Sequence, residues 1–317
     1  MRALHWDGRQ LRLEGRYAAP SVRDGFALVR VRLAGICSTD LQIFKGYMDF
    51  AGVPGHEFVG EVAEGPSGLM DKRVVGEINF ACGTCDTCRG GMPRHCPTRQ
   101  VMGILNADGS FAEYMAVPVA NLHVVPDTVA DEEAVFTEPL AAAFEILEQV
   151  SVPTNAEVVV FGDGKLGLLC AQVLHQTGAR VTLVGKHADK LGLVAGLGLR
   201  TSLLAGWKMF GADIVVEATG SEGGLALAMQ TVRPRGTLVL KSTLAAHHRL
   251  SLAPLVINEV TVVGSRCGLF GPALDALAQR RVRVSPLVDK VYPLSGGLEA
   301  AQHAARPGVL KVLLSNS

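Results

Sequence analysis

An α/β protein, with a doubly wound parallel sheet joined to a barrel-like β domain, is expected from three features of this sequence. First, a chain of 317 residues exceeds what one hydrophobic core usually organises, which favours two domains. Second, short β-rich runs separated by glycine and proline occupy residues 1 to about 126. Third, helix and strand signals alternate after residue 127, and continuous apolar strands are typical of a parallel sheet covered on both faces.

Composition excludes several classes of function. The chain has 30 Lys plus Arg and 30 Asp plus Glu, so it lacks the basic excess that binds a nucleic-acid backbone. Hydrophobic residues make up 48% and charged residues 19%, which predicts a compact fold rather than disorder. No window approaches the roughly 18 apolar residues of a membrane span, and the first residues lack the apolar segment of a secretory signal. We therefore expect a cytoplasmic protein with neither a nucleic-acid nor a membrane partner.

A glycine-rich turn follows the first strand of the second half. The apolar run 158–161 leads into Gly162, Asp163, Gly164, Lys165, Leu166 and Gly167, and a helical pattern continues to about residue 177. Glycines at this spacing permit a tight turn and close approach to a pyrophosphate, which the free N–H groups of the helix N-terminus bind. A glycine-rich turn without a ligand is the alternative interpretation. The strand–turn–helix context favours a Rossmann dinucleotide site.

The end of the next strand bears on which dinucleotide binds. An NAD enzyme usually has an acidic residue there to hold the ribose 2′-hydroxyl. This chain has Gly185 instead, followed by Lys186 and His187, with Lys190 nearby. Cations in that place can pair with a 2′-phosphate, so NADP is favoured over NAD. A solvated loop of incidental charge is the alternative, because Asp189 lies close by.

Four cysteines crowd into one glycine-rich segment: Cys82, Cys85, Cys88 and Cys96. Four thiolates suit a closed structural zinc site. The competing interpretation is an iron–sulfur cluster, because a final Cys-Pro pair also occurs in ferredoxins. The ferredoxin pattern, however, places its fourth cysteine four residues after the third rather than eight. The spacing therefore favours zinc.

Three further segments contain residue types that bind metals: Gly35 to Asp40, which includes Cys37; Gly55-His56-Glu57; and Thr137-Glu138-Pro139. In this order, and with the four cysteines and the glycine-rich turn, they resemble the medium-chain zinc-dependent alcohol dehydrogenase family over nearly the whole chain. The pattern is similar to the polyol (sorbitol) dehydrogenase branch, which has Glu-Pro-Leu where liver-type enzymes use a Cys ligand. The resemblance implies a GroES-like β-barrel catalytic domain of residues 1–138, completed by 284–317, and a Rossmann domain of residues 139–283.

The resemblance also implies a catalytic zinc. Cys37, His56 and Glu138 would be its ligands, with Glu57 as a fourth or exchangeable one, and whether Glu57 or Glu138 is the persistent ligand stays open. Such a zinc keeps one exchangeable position and lowers the pKa of a bound hydroxyl. Asp40 would orient His56.

Thr39 matches the family residue that takes the alcohol proton. Many relatives have a histidine three residues later that passes the proton on, but this chain has Gln42, which cannot titrate. Further cofactor contacts are implied beyond the turn: Thr219, Lys241, Ser242, Arg266, Cys267 and Lys311, the last of these at the pyrophosphate.

The expected activity is reversible hydride transfer between NADP(H), or NAD(H), and a secondary alcohol or polyol and its ketone or aldehyde. One catalytic and one structural zinc per chain and a homodimer or homotetramer are expected with it. The alternative is a non-catalytic regulatory module that binds zinc or a nicotinamide dinucleotide on the same fold. That module would have lost the open metal site, so the intact Cys37, His56, Glu138 and Thr39 favour an enzyme.

Overall fold

The computed structural model describes residues 1–243 and 250–316. The chain forms two compact units: unit 1 comprises Met1–Glu138, Phe270–Arg280 and Val288–Ser317, and unit 2 comprises Pro139–Leu269 and Arg281–Leu287. The sequence predicts that residues 139–283 form one domain, but residues 270–280 belong to unit 1. The physical reason is aromatic packing, since Phe270 lies against His123 with ring centroids 5.5 Å apart.

The strands, in chain order, are β1 (Ala3–Trp6), β2 (Leu11–Glu14), β3 (Phe26–Ile36), β4 (Glu57–Glu64), β5 (Arg73–Gly76), β6 (Asn79–Phe80), β7 (Gln100–Met102), β8 (Asn106–Ala107), β9 (Tyr114–Pro118), β10 (Leu122–Val124), β11 (Glu157–Phe161), β12 (Arg180–Gly185), β13 (Arg200–Leu203), β14 (Ala212–Glu217), β15 (Val232–Leu240), β16 (Thr261–Gly264), β17 (Val288–Pro293) and β18 (Lys311–Ser315).

The helices are α1 (Ser38–Ile43), α2 (Asp86–Arg89), α3 (Asp131–Ala134), α4 (Thr137–Gln149), α5 (Lys165–His175), α6 (Ala188–Ala195), α7 (Glu222–Thr231), α8 (Ala253–Ile257), α9 (Phe270–Ala278) and α10 (Gly297–Ala304). Short 3-10 turns occupy Tyr47–Asp49, Pro93–His95, Val119–Asn121, Leu204–Gly206, Ser285–Leu287 and Leu294–Gly296. Within the described ranges, no helix has the length and apolar character needed to traverse a lipid bilayer.

Unit 1 is organised around the long strand β3. The main sheet runs β10-β5-β4-β3-β18-β17, and β9 also pairs with β3. Alternate residues of β3 are apolar and buried, which is the pattern of a strand with one face against a core: Ala27, Val29, Val31 and Leu33 are each at most 8% exposed. β4 and β18 both run antiparallel to β3, so three chain segments far apart in sequence meet at its C-terminal end.

Unit 2 contains the predicted doubly wound parallel sheet. Its strand order is β13-β12-β11-β14-β15-β16, with parallel pairing throughout. The central strand β11 is an apolar run in which Val158, Val159 and Val160 are fully buried. The strand order reverses between β11 and β14, and ligands of such sheets bind beyond the carboxyl ends of the strands at that point.

Candidate metal and dinucleotide sites

The register of β3 and β4 assembles a group of possible metal ligands. Gly35 lies opposite Glu57 across the two strands, so Cys37, just past the end of β3, comes beside His56, just before β4. One ligand atom from each of Cys37, His56 and Glu57 lies within 4.8 Å of the other two. His56 and Glu57 are buried, whereas Cys37 is half-buried. A thiol, an imidazole and a carboxyl group in this arrangement suit zinc.

Two glycines make room for this group. A Cβ at Gly35 would lie 2.5 Å from Glu57 Oε2 and 2.9 Å from Val135 Cγ1. Gly55 has φ +96, and a Cβ there would lie 2.4 Å from the ring of Phe111. Since neither position has space for a side chain, the glycines allow the backbone to approach the carboxyl group and the aromatic ring closely.

Asp40 connects the ligands from the first turn of α1. This buried carboxylate accepts a hydrogen bond from the backbone N–H of Cys37 at 2.7 Å through Oδ2. Its Oδ1 lies 3.2 Å from His56 Nδ1, at ion-pair distance but without the alignment of a hydrogen bond. Burial lowers the pKa of His56, but the charges of Asp40 and Cys37 outweigh it and raise that pKa well above its usual value.

Lys311 lies beside this group, and its expected contact with the pyrophosphate stays a prediction. It begins β18, is 0% exposed, and its Nζ donates a hydrogen bond to Glu57 Oε2. Pairing of β18 with β3 places its ammonium group there, since Val312 lies opposite Ile36. Glu57 Oε1 is also buried, yet no described residue donates a hydrogen bond to it. A buried carboxylate oxygen without such a partner fits a metal ligand.

The remaining predicted residues of this site lie nearby in sequence. Thr39 is half-buried, and its Oγ1 lies 3.8 Å from Cys37 Sγ. Glu138 is half-buried in the first turn of α4. It does not belong to the group of described residues whose ligand atoms all lie within 4.8 Å of one another. The structure thus brings together three of the four predicted ligands of the open site.

The four cysteines form a second group, located between β6 and β7. Their sulfur atoms all lie within 4.8 Å of one another, and individual separations are 3.6 Å for Cys82–Cys96, 3.9 Å for Cys85–Cys96 and 4.0 Å for Cys82–Cys88. A tetrahedron with Zn–S bonds of about 2.3 Å has edges of about 3.8 Å. An iron–sulfur cluster would hold some of its cysteines farther apart, because its four thiolates are divided among two or four irons. The spacing fits one zinc ion.

Backbone N–H groups stabilise thiolates in this second group. The N–H groups of Cys85 and Cys88 lie 3.4 Å and 3.5 Å from the sulfur atoms of Cys82 and Cys85, and donate to them. Hydrogen bonds from the backbone of Thr84 and Cys85 lower the pKa of Cys82 to about 5. Desolvation raises the pKa of Cys88 to about 12. Opposite shifts of neighbouring thiols are expected, because interacting groups lose their protons in separate steps. All seven cysteines are free thiols, so no disulfide competes with metal binding.

The glycine-rich turn has the geometry that the motif predicts. Gly162 has φ +116, and a Cβ there would lie 2.5 Å from the backbone oxygen of Ala218. A Cβ at Gly167 would lie 1.8 Å from the backbone oxygen of Gly162. Gly164 is the N-cap of α5 and brings no side chain to cap it. The first N–H groups of the eleven-residue helix α5, which starts with Lys165 and Leu166, therefore lack a side-chain cap, as is typical of helix N-termini that bind phosphates.

An acid from this turn occupies the end of β12. Asp163 Oδ2 accepts hydrogen bonds from the backbone N–H groups of Lys186 and His187, each at 2.7 Å, and lies 3.0 Å from His187 Nδ1. A Cβ at Gly185 would lie 2.5 Å from Asp163 Oδ2. The motif contains Asp163 but predicts no role for it. The sequence contains a signal for such a role: an acid stands between the first two glycines of the motif, and a glycine stands where the next strand usually ends in an acid.

Four of the other predicted cofactor residues lie just after strands of the parallel sheet. Thr219 and Ser242 follow β14 and β15, and both bond within the protein: Thr219 donates to Glu217 Oε1, and Ser242 Oγ accepts from Gly220 N at 2.9 Å. Arg266 is exposed and Cys267 is half-buried just beyond β16.

Two predicted lysines are buried. Lys190 is 7% exposed, so it is no solvated loop cation. Lys241 is also 7% exposed and donates to the backbone oxygens of Ala142 and Arg266 and to Ser265 Oγ. These bonds engage its ammonium group within unit 2, and its expected contact with the dinucleotide stays a prediction.

Comparison with known families agrees with this geometry. Residues 23–127 match the family model described as the alcohol dehydrogenase GroES-like domain, and residues 166–279 match that of the zinc-binding dehydrogenases. The chain belongs to the medium-chain, zinc-dependent alcohol dehydrogenase family. The family expectation from the sequence is thereby confirmed, as are the GroES-like and Rossmann fold classes. The protein is a zinc-binding oxidoreductase that uses a nicotinamide dinucleotide.

Individual members of the family support the same conclusion. The sorbitol dehydrogenase of Halalkalibacterium halodurans is 30% identical over 315 residues, covering 90% of each chain. A zinc-binding dehydrogenase from Sinorhizobium meliloti 1021, solved with NADP, superposes with a TM-score of 0.88 at 26% identity, covering 99% of this chain and 98% of the other. A short chain alcohol dehydrogenase from Escherichia coli CFT073, solved with NADH, gives a TM-score of 0.90 at 26% identity, covering 99% of both chains. Solved relatives therefore include complexes with either dinucleotide.

Proposed function

We propose that this enzyme transfers a hydride reversibly between a polyol, or another small secondary alcohol, and a nicotinamide dinucleotide. The observation that carries the proposal is the group of Cys37, His56 and Glu57, which lies beside the hydroxyl of Thr39. The similarity to a sorbitol dehydrogenase over 90% of each chain supports a polyol as the substrate class.

Each residue of the group has a proposed role. Zinc, when bound, is a Lewis acid that favours ionisation of an alcohol hydroxyl. Cys37 and His56 would hold the ion, and Glu57 would do so through Oε1, the oxygen to which no described residue donates a hydrogen bond. Glu138 remains the fourth predicted ligand. Asp40 restrains both Cys37 and His56 through its two carboxylate oxygens.

Thr39 is proposed to accept the proton of the alcohol. Its hydroxyl is 3.8 Å from Cys37 Sγ, in the first turn of α1. Gln42 lies one turn further along the same helix and cannot release or take up a proton at neutral pH. The proton therefore leaves Thr39 through water rather than through a histidine at this position.

The cofactor assignment has two finer parts, the number of zinc ions and the choice between NAD and NADP. One zinc ion would occupy each of the two groups, and the tetrahedral spacing of Cys82, Cys85, Cys88 and Cys96 supports the structural one. NADP is favoured by the absence of an acid at Gly185 and by the exposed Lys186. The buried Lys190 and the carboxylate of Asp163 beside Gly185 oppose that preference.

We also propose a cytoplasmic homodimer or homotetramer. The edge strand β16 pairs with β15 on one side, and its Val262 side chain is 43% exposed. In the neighbouring helix α8, Val256 and Ile257 are each 77% exposed. An exposed apolar edge strand favours pairing with another chain. Sedimentation equilibrium showing only a monomer would contradict this proposal.

A Cys37→Ser variant tests the proposed activity. Serine binds zinc far less well than a thiolate, so turnover of polyols with NAD or NADP should be lost while NADH or NADPH binding persists. Cys170→Ala is the matched control, because Cys170 is buried in α5 and outside both groups. Full activity of Cys37→Ser, or no activity of the parent enzyme with any secondary alcohol, would contradict the proposal.

A further inference from the structure

The acid that is missing from the end of β12 has a substitute from another element. The side chain of Asp163 is 11% exposed, and its Oδ2 lies 2.5 Å from the position that a Cβ of residue 185 would take. Because Gly185 has no side chain, the carboxylate of Asp163 can lie at the end of β12, where an NAD enzyme usually has the carboxylate of residue 185 itself. The absence of a side chain at Gly185 thus makes room for the side chain of Asp163.

The two oxygens of Asp163 are used differently. Oδ2 accepts from the N–H groups of Lys186 and His187 and contacts His187 Nδ1. Across residues 1–243 and 250–316, no hydrogen bond or ion pair involves Oδ1 of this carboxylate; all of its contacts are made by Oδ2. Burial raises the pKa of Asp163, but the hydrogen bonds and charge of His187, with the N–H of Lys186, outweigh it and lower that pKa. The group is therefore a fixed, ionised acceptor at neutral pH.

We propose that Asp163 selects the dinucleotide, accepting a hydrogen bond from the ribose 2′-hydroxyl of NAD(H) and repelling the 2′-phosphate of NADP(H). The inference rests on the proposed dinucleotide site at the glycine-rich turn. It reverses the preference for NADP expected from the sequence, because the selecting acid comes from the turn rather than from β12.

The cations near this carboxylate do not offset it. Lys190 is buried, and His187 Nδ1 already contacts Asp163 Oδ2. Lys186 is exposed and is the remaining cation of the predicted phosphate site. A 2′-phosphate carries about −1.5 to −2 charges at neutral pH, so a fixed carboxylate at the end of β12 opposes it directly.

Equilibrium binding of NADH and NADPH tests the proposal without turnover. Nucleotide fluorescence is titrated with the purified enzyme, its Asp163→Asn variant and an Asp189→Asn control. Asparagine keeps an oxygen that accepts the two backbone N–H bonds but removes the charge. Asp189 is a suitable control because it is an exposed acid in the first turn of α6. We expect the parent enzyme to bind NADH at least tenfold more tightly than NADPH, and Asp163→Asn to reduce that ratio at least tenfold, with no change in Asp189→Asn.

A second variant moves the acid to its usual position. In Asp163→Gly/Gly185→Asp, the contact that excludes a Cβ at residue 185 is removed and an acid returns to the end of β12. This double variant should again prefer NADH, whereas Asp163→Gly alone should not. Tighter binding of NADPH by the parent enzyme, or an unchanged ratio in Asp163→Asn, would overturn the proposal while leaving the dinucleotide site intact. Binding of neither dinucleotide would overturn the proposed site itself, and the selection with it.

Discussion

Lys311 and Glu57 form a buried ion pair beside the proposed open metal site. Lys311 is 0% exposed, Glu57 is 1% exposed, and the ammonium group also lies 5.5 Å from the ring centroid of Phe136. A buried pair has little net effect on stability compared with apolar residues, but removing one partner leaves a charge without compensation. The pair therefore fixes Glu57 Oε2 and leaves Oε1 for a metal.

This pair predicts a strong non-additivity. Lys311→Met should lower the free energy of unfolding by about 3–5 kcal/mol, because it leaves Glu57 buried and unpaired. Glu57→Gln/Lys311→Met should be more stable than Lys311→Met alone, since no unpaired charge remains. Urea denaturation of the zinc-depleted proteins measures both effects.

Lys290→Met is the matched control for these measurements. Lys290 belongs to the same sheet, in β17, but it is exposed and lies 4.4 Å from the ring centroid of Tyr292. Its loss should cost at most about 1 kcal/mol. A Lys311→Met variant as stable as this control would show that the buried pair has no such role.

Single residues differed in how well the sequence predicted them. Cys37 and His56 come together as expected because their short motifs end β3 and precede β4, which pair directly. The contact between Lys311 and Glu57 could not be predicted, because it depends on β18 pairing with β3 across more than 250 residues of sequence. Asp163 was also missed, because an acid inside a phosphate-binding turn has no fixed meaning in the motif.

At the scale of elements, the contact between the turn after β11 and the first turn of α5 shapes the dinucleotide site. The backbone oxygen of Gly162 approaches Gly167 so closely that an added Cβ would lie 1.8 Å from it. Gly167→Ala should therefore displace the turn from α5 and weaken NADH and NADPH binding at least tenfold, with a loss of stability of about 1–3 kcal/mol.

Gly192→Ala supplies the matched control in the neighbouring helix α6. A Cβ there meets nothing within 4 Å, so the replacement should leave binding unchanged and stabilise the helix by up to about 1 kcal/mol. Fluorescence titration measures dinucleotide binding, and thermal unfolding measures stability, in both variants. Unaltered dinucleotide binding in Gly167→Ala would contradict the assigned role of this contact.

The sequence predicted the strands and helices of unit 2 better than it predicted which unit each helix joins. Apolar strands alternating with helices are a strong local signal, and the sheet order of unit 2 follows from the usual right-handed connections. Helix α9 follows the last strand of that sheet in the chain, yet belongs to unit 1. Its apolar face packs near α3 and His123, a preference that periodicity alone does not reveal.

At the scale of the whole molecule, we propose that one chain binds zinc at an open site and at a closed one. Both groups lie in unit 1, but they draw on different segments: the strand ends of β3 and β4 in one case, and the segment between β6 and β7 in the other. Loss of one ion should therefore leave the other bound. Cys37 contributes only to the open group, and Cys82 only to the cysteine group.

The most direct test is elemental analysis of purified, chelator-free enzyme, with Cys37→Ser and Cys170→Ala beside it. We predict one zinc equivalent for each of the two groups in the parent protein and in Cys170→Ala. Cys37→Ser should lose one equivalent and keep the zinc of the cysteine group. Iron in place of zinc, or a zinc content that Cys37→Ser leaves unchanged, would contradict the account.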